Sequence, residues 1–394
     1  MLIKPDIPNN LGRFAIAFSG GGDSTALVHI LKDHDPKPLI LIVDHGLRDG
    51  SRDEAEHAKT FSESLALETL ILTWAHNNPK AGLQEKARKA RYGLMGGVCR
   101  ERGIAYLLTG HTQDDQAETL LMRYDRGTDW RGAAGMAQNI YAPIWPELAE
   151  VTLVRPLLGC SRRRLRDYNR HHNLKWSEDP SNQNRGFTRI RARDYLSNRP
   201  HIKADLLNTA QDLQVGLAQE TKHFREFLDK HTDIDDVGII SLNKLPPARL
   251  MTLFLRAASG TGGPIHKNSI AEIMKALKET DFPGGTLAGA YVMKRRGKII
   301  IGRDPVAAKG RGNQPAIPIR KLSPQETIIW DGRFKVQNAH EATKIGTSHT
   351  MYDMDKALGT TLGGFKMSHP VSISQHTEIT SIVASRLHKM MYVT

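Results

Sequence analysis

Ser19-Gly20-Gly21-Gly22-Asp23-Ser24 decides how this chain is read, because of what flanks it. Phe14-Ala15-Ile16-Ala17-Phe18 before it is an apolar run that predicts a buried strand, and Thr25 to Leu31 after it carries apolar residues at helical spacing. Strand, glycine turn and helix start together make an anion cradle. The glycines allow a tight turn that aims N–H groups at a phosphate, and the helix dipole adds positive potential. Asp23 sharpens the reading. A carboxylate beside a phosphate is repulsive unless a cation such as Mg²⁺ bridges them. An ordinary βα turn is the plain alternative, and the serine at each end together with the aspartate argues against it.

At 394 residues the chain has room for two or three domains. A mean hydropathy of −0.42 fits a globular protein, and no run reaches membrane-spanning length. Met1–Asn10 lacks the apolar stretch of a signal peptide, and the two cysteines, Cys99 and Cys160, provide neither a disulfide framework nor a zinc cluster. The expected compartment is the cytoplasm, with no membrane partner. A net charge of +13 and a pI near 9.7 point to a polyanion, with nucleic acid first in line.

Strand-like and helix-like segments alternate after the loop. Pro38 to Val43 is an apolar run, 53–65 is helical in pattern, Thr69 to Trp74 is strand-like, Leu83 to Arg102 is a basic helix, and Ile104 to Thr109 is a fourth strand. The pattern predicts an α/β domain with a doubly wound parallel sheet, followed by two smaller α+β domains. In such sheets ligands sit at the carboxyl ends of the strands. The polar clusters at 19–24, 44–48 and 110–118 each follow a strand, so one pocket can collect all three. In the third cluster, Asp114 and Glu118 are four apart and Asp115 and Glu118 three apart. On a helix starting near Thr112 these carboxylates converge, which suits a divalent cation or an ammonium group. Acidic residues also favour a helix's first turn through its dipole, which accounts for Asp114 and Asp115 better than for Glu118. His111 is a candidate phosphate donor or acid–base group, a structural histidine being the alternative.

Ser19–Ser24, Val43-Asp44-His45-Gly46-Leu47-Arg48 and Gly110–Thr119 resemble the PP-loop ATP pyrophosphatase superfamily. Adding Ala87–Tyr92, Arg131-Gly132 with Gly135-Met136, Arg155-Pro156-Leu157-Leu158 and Trp176–Asn182, the set is similar to the tRNA(Ile)-lysidine synthases. The likeness is strong over about 13–195 and loose beyond. It implies ATP adenylation of C2 of the wobble cytidine in a CAU-anticodon tRNA(Ile), with attack by free L-lysine and release of AMP. It also implies that Ser19, Gly20, Gly21, Gly22, Asp23 and Ser24 hold phosphates and that Asp23 binds Mg²⁺. Asp44 and His45 then face the adenosine, and Arg88 and Arg91 contact ATP or the cytidine. Asp115 and Glu118 become lysine-binding carboxylates, with Asp114 and His111 nearby in the catalytic set. Where the family carries an Arg-Asn pair before another Arg, this chain has Thr188-Arg189-Ile190-Arg191-Ala192-Arg193. Arg189 and Arg191 are carried over without the Asn. Ser381–Thr394 does not resemble the family's closing element, and truncation there is left open, as is a homodimer.

Between 155 and 199 arginines crowd the chain, Arg162, Arg163 and Arg164 in a row, against only Asp167, Glu178, Asp179 and Asp194. Such a segment is expected to carry RNA backbone, with Tyr168, Trp176 and Phe187 available to stack on unpaired bases. A solvated helix face and a core aromatic are the respective plain alternatives. The expected division is a catalytic domain over 1–204, a tRNA-contacting domain over 205–304 with a hairpin turning at Lys294–Lys298, a linker over 305–318 and a small tRNA-binding domain over 319–394. Two further readings stand beside the ligase. A thiolase of the same superfamily lacks paired cysteines here, and a non-catalytic tRNA-binding relative would not need the intact loop and carboxylates.

Overall fold

A computed structural model of the chain describes residues 3–9, 11–47, 50–76, 82–177, 188–310, 316–317, 320–338, 343–352, 365–372 and 377–392. It divides into two compact units, Met1–Thr221 with Val393–Thr394, and Lys222–Tyr392.

The first unit is built on strands β1 (Ala15–Ala17), β2 (Leu39–Asp44), β3 (Thr69–Thr73), β4 (Tyr106–Thr109), β5 (Asn139–Tyr141) and β6 (Thr152–Val154), in the order β3-β2-β1-β4-β6-β5. All neighbours pair parallel except β5, which runs antiparallel to β6 at the edge. Successive residues of these strands enter opposite faces, as the two-residue period requires. Phe14, Ile16, Ile40, Leu108 and Val154 pack with Leu27 and Val28 of α1 (Gly22–Leu31) and Leu165 of α6 (Arg162–His171). Ala15, Leu39, Leu41, Leu107 and Leu153 pack with Tyr92, Met95 and Cys99 of α3 (Leu83–Glu101) on the other side. The doubly wound expectation is met, and the near-continuous apolar strands reflect burial on both faces. Other helices of this unit are α2 (Ser51–Ser64), α4 (Gln113–Asp125), α5 (Trp130–Ala133), α7 (Thr188–Ser197) and α8 (Pro200–His231), the division between units falling inside α8.

Strand order reverses at β1, flanked by β2 on one side and β4 on the other. The loops leaving β1 and β4 therefore open into the crevice where open α/β sheets bind ligands. Gly110, just past β4, lies so close to α1 that a Cβ there would sit 3.1 Å from the backbone of Asp23 and Ser24.

The second unit has an antiparallel sheet of β7 (Thr232–Ile234), β8 (Ile240–Leu242), β9 (Phe282–Leu287), β10 (Ala290–Arg295) and β11 (Lys298–Arg303), in the order β7-β8-β11-β10-β9. The expected hairpin is β10 and β11, joined through Arg296 and Gly297. Phe254 and Leu255 of α9 (Ala248–Ser259) pack on it with Leu387 of the terminal helix Val383–Tyr392. Thr327–Trp330 and Phe334–Asn338 form a second hairpin.

Two neighbouring glycines of α3 respond oppositely to a methyl group. A Cβ on Gly96 would lie 2.1 Å from the Glu147 carbonyl oxygen, whereas one on Gly97 meets nothing within 4 Å. Gly96→Ala is expected to lower unfolding stability by about 1–3 kcal/mol through overpacking against backbone. Gly97→Ala is expected to raise it by about 0.5–1 kcal/mol through helix propensity. Denaturant midpoints of the two variants check both signs, and equal shifts would contradict this packing.

Candidate active site

The loop after β1 is tied together from within. Ser24 Oγ donates to the Gly21 carbonyl at 2.9 Å and lies 3.1 Å from Ser19 Oγ. Gly20 adopts φ +75°, the left-handed region that glycine tolerates without strain. Gly21 caps α1 with no side-chain acceptor, so the first N–H groups of the helix remain for a ligand. The loop is also braced from outside. Ser177 N donates to the Gly20 carbonyl at 2.9 Å, Asn169 Nδ2 donates to the Gly22 carbonyl at 2.8 Å, and the Trp176 ring lies against Gly22. Trp176, available from the sequence either for an RNA base or for a packed position, thus takes the packed one, on the loop. Tyr168 is buried with its hydroxyl 2.9 Å from His29 Nδ1, a core position in place of the expected stacking one. Phe187 and the stretch Glu178–Asn182 lie outside the described residues.

The loop after β4 supplies the carboxylates. Thr112 and Asp115 form a capping box: Thr112 N donates to Asp115 Oδ2 at 2.8 Å, and Asp115 N donates to Thr112 Oγ1 at 3.3 Å. This fixes the start of α4 and turns Asp114, Asp115 and Glu118 into the crevice. Arg162, at the first position of α6, meets them there. Its Nε lies 3.2 Å from Asp23 Oδ2, and its terminal nitrogens lie 3.2 Å from Glu118 Oε1 and 3.0 Å from Asp115 Oδ1. Its backbone N–H donates to Asp114 Oδ2 at 2.7 Å. Arg189 reaches Glu118 Oε2 at 2.9 Å and Asp115 Oδ1 at 3.2 Å, Arg193 reaches Glu118 Oε1 at 2.8 Å, and Lys203 reaches Asp114 Oδ1 at 2.6 Å. Glu118, at 2 % exposure, is the deepest acid of the set.

The electrostatics follow from these pairs. Burial pushes the Asp115 carboxyl up, but Arg162, Arg189 and the Thr112 hydrogen bonds outweigh it and leave the group below its ordinary value. Asp114 behaves likewise, burial being outweighed by Lys203 and the Arg162 amide. Asp23 is the exception. Burial raises its carboxyl, with Asp115 adding repulsion, and Arg162 only partly compensates.

On the β2 side, Asp44 Oδ1 accepts from Gly46 N at 3.0 Å and Ser51 Oγ at 2.8 Å, pinning the turn into α2. His45 stands edge-on to Trp74, and its buried Nδ1 has no hydrogen-bond partner among the described residues. Arg88 and Arg91 lie over the Tyr92 ring at 4.9 and 5.3 Å. His111 Nδ1 lies 2.8 Å from Thr109 Oγ1, and burial with the Arg155 charge pushes the imidazole down to about 4, so it is neutral at physiological pH.

Arg163 and Arg164 are exposed, but Arg162, read from the sequence as one of the same phosphate-binding row, is engaged by carboxylates. The physical reason is its place at the helix's first turn, beside Ser161, whose side chain accepts from Arg164 N. Arg191 is exposed and donates to Thr188 Oγ1, while Arg189 turns inward. Sequence reasoning missed Arg193 and Lys203. Arg193 carried a usable signal, since it stands one helical turn from Arg189. Lys203 carried none, being placed by the approach of α8.

A sequence profile of the PP-loop domain matches residues 2–199. A tRNA(Ile)-lysidine synthase of Anaplasma marginale is 30% identical over 357 residues, covering 86% of this chain and 74% of that protein. One of Hyphomonas neptunium is 34% identical over 296 residues, covering 73% of this chain and 80% of that one. One of Mesorhizobium japonicum is 33% identical, covering 80% and 70% respectively. With its phosphate-type loop and carboxylates meeting at the reversal of a parallel sheet, the chain belongs to the tRNA(Ile)-lysidine synthase family of PP-loop proteins.

Proposed function

We propose that this protein is an AMP-forming carbon–nitrogen ligase that makes lysidine in a CAU-anticodon tRNA(Ile). The cytidine C2 oxygen attacks the α-phosphorus of ATP and pyrophosphate leaves. The ε-amine of free L-lysine then attacks C2, the C2–O bond breaks, AMP departs and the amine loses a proton. The observation that carries this reading is the meeting, in one crevice, of the Ser19–Ser24 loop with a deep carboxylate pair that already holds cationic nitrogens. Asp115 and Glu118 sit 2.8–3.2 Å from guanidinium nitrogen atoms, the environment a lysine ammonium needs.

The roles follow from position. The N–H groups opening α1, with Ser19 and Ser24, receive the phosphates, and His45, whose Nδ1 lacks a partner among the described residues, faces the adenosine beyond the turn pinned by Asp44. Arg88 and Arg91 are placed for ATP or the cytidine, and the exposed Arg163, Arg164 and Arg191 for the tRNA backbone. Neutral His111 serves as a hydrogen-bond donor or acceptor in place of a fixed charge. Among the described residues no group of three or more His, Cys, Asp or Glu side chains could cage a metal. That fits Mg²⁺, which commonly takes one or two carboxylates and completes its shell with phosphate oxygens and water. Asp23, half-buried and repelled by Asp115, is the carboxylate for it. When bound, Mg²⁺ neutralises charge on the transferring phosphate.

The thiolase reading loses support at the thiols. Cys99 is fully buried with its thiol pushed up to about 12, and burial also raises Cys160, so neither offers a ready thiolate. Among the described residues no helix is long and apolar enough to cross a membrane, and a tRNA substrate suits the cytoplasm.

Purified protein given ATP, Mg²⁺, radiolabelled lysine and the tRNA should release AMP and pyrophosphate and label the tRNA. Folded protein that binds the tRNA but leaves it unlabelled would refute the ligase reading and favour a non-catalytic binder. In Glu118→Gln, the KM for lysine should rise roughly 30-fold or more, because a buried charge partner is lost, while pyrophosphate release changes far less. Equal loss of both would remove Glu118 from the lysine site. A titration should also find His111 protonating near pH 4. Because its folded value lies below its ordinary 6.5, its contribution to stability is full above pH 6.5 and is lost as pH falls towards 4. His111→Gln should therefore flatten the stability profile between those pH values, and an unchanged slope would show that His111 is not held neutral.

A further inference from the structure

The carboxylates assigned to lysine are already satisfied by the chain itself. Asp23, Asp114, Asp115 and Glu118 supply four negative charges, and Arg162, Arg189, Arg193 and Lys203 supply four positive ones. Arg166 adds further positive field at Asp23. A lysine ammonium brought to Asp115 and Glu118 would carry excess positive charge into a site where Glu118 is 2 % exposed. Unpaired charge in such a place is strongly unfavourable. Either a resident cation must leave or an anion must arrive.

The three arginines differ in their freedom to leave. The Arg189 and Arg193 side chains are 42% and 34% exposed, so their heads can turn to water at modest cost. Arg162 is 16% exposed, and Asp114 grips its backbone N–H. Its helix position is fixed while its guanidinium needs another anion close by. The phosphate loop is the place for one, since Arg162 Nε already touches Asp23 within it. A nucleotide triphosphate there brings net negative charge and oxygen pairs matched to a guanidinium fork.

We infer that Arg162 is a displaceable counter-ion that couples the two small substrates: nucleotide in the loop draws it from Asp115 and Glu118, and free lysine then binds there more tightly. This rests on the lysidine reading of the site. Arg162 is thereby a positioning residue, and the amine site stays weak until the activating anion is present. Coupling of this kind is reciprocal, so lysine tightens nucleotide by the factor by which nucleotide tightens lysine.

Calorimetric titration of L-lysine into the full chain, with and without α,β-methylene-ATP and Mg²⁺, measures that factor with no chemistry. Lysine should bind about 10-fold or more tightly with the analogue, within the range usual for coupled sites. In Arg162→Gln the factor should fall towards one, because the cation that answers to the nucleotide is gone and only the exposed Arg189 and Arg193 are left on Asp115 and Glu118. Equal lysine affinity in both arms overturns the inference, and so does a variant that keeps the full factor. Circular dichroism reports whether the variant folds, and if it does not, the reciprocal titration of analogue with and without lysine in the unsubstituted protein decides. Lysine transfer to tRNA run in parallel separates the two readings. Transfer with uncoupled binding defeats the counter-ion alone, whereas neither binding nor transfer of lysine under any condition defeats the lysidine reading and the counter-ion with it.

Discussion

The first unit's functional end depends on charge balance around a nearly inaccessible glutamate. Glu118 faces the crevice from α4, and Arg162, Arg189 and Arg193 from α6 and α7 close on it at 2.8–3.2 Å. A carboxylate at that depth is tolerable only when paired and hydrogen-bonded. The requirement fixes more than one side chain. It sets where α6 begins, since the Arg162 amide must also reach Asp114, and it sets which face of α7 turns inward.

Sheet topology explains why these groups meet at all. Loops leaving adjacent parallel strands β1 and β4 emerge at the same edge, and the missing side chain at Gly110 lets them lie close, since a Cβ there would sit 3.1 Å from the backbone of α1. Three elements then brace the phosphate loop from one side: Asn169 through the Gly22 carbonyl, Ser177 through Gly20, and the Trp176 ring over Gly22. The arginine-bearing helix α6 and the segment after it are thus mechanically part of the loop. Movement of Arg162 and order of the loop are linked through a chain of direct contacts, which is the physical basis a coupling between two sites needs.

Much of this end could be read from the amino-acid order, for physical reasons. Strands buried on both faces leave unbroken apolar runs such as Leu39–Val43, and a turn needing left-handed backbone leaves glycine at 20. Thr112 with Asp115 three residues on is a local capping signal, so the convergence of Asp114, Asp115 and Glu118 follows from helix geometry alone. What could not be read depends on distant partners. A row of arginines looks alike whether it faces RNA or carboxylates, and only the meeting of α6 with α4 separates Arg162 from Arg163 and Arg164. Trp176 looks equally fit to stack on a base or on a loop until Gly22 is seen beneath it. Lys203 meets Asp114 across 89 positions, with no local pattern to announce it.

The same network argues about purpose. Replacing a buried ion-pair cluster with well-packed apolar residues is often neutral or stabilising, so such a cluster is weak support for the idea that it exists to hold a fold together. Here the apolar cores on both faces of the sheet already do that. The charges are concentrated instead at the one edge where the topology opens a crevice, and Asp23, whose carboxyl sits above its ordinary value, remains poorly compensated within them. A set of charges that the fold does not need, that gathers at the ligand-binding edge and that leaves one member only partly compensated is arranged for an exchange of partners. The resident guanidinium groups hold the Asp115 carboxylate ionised and the others in position, and they present to the phosphate loop the cations an incoming polyphosphate would otherwise lack.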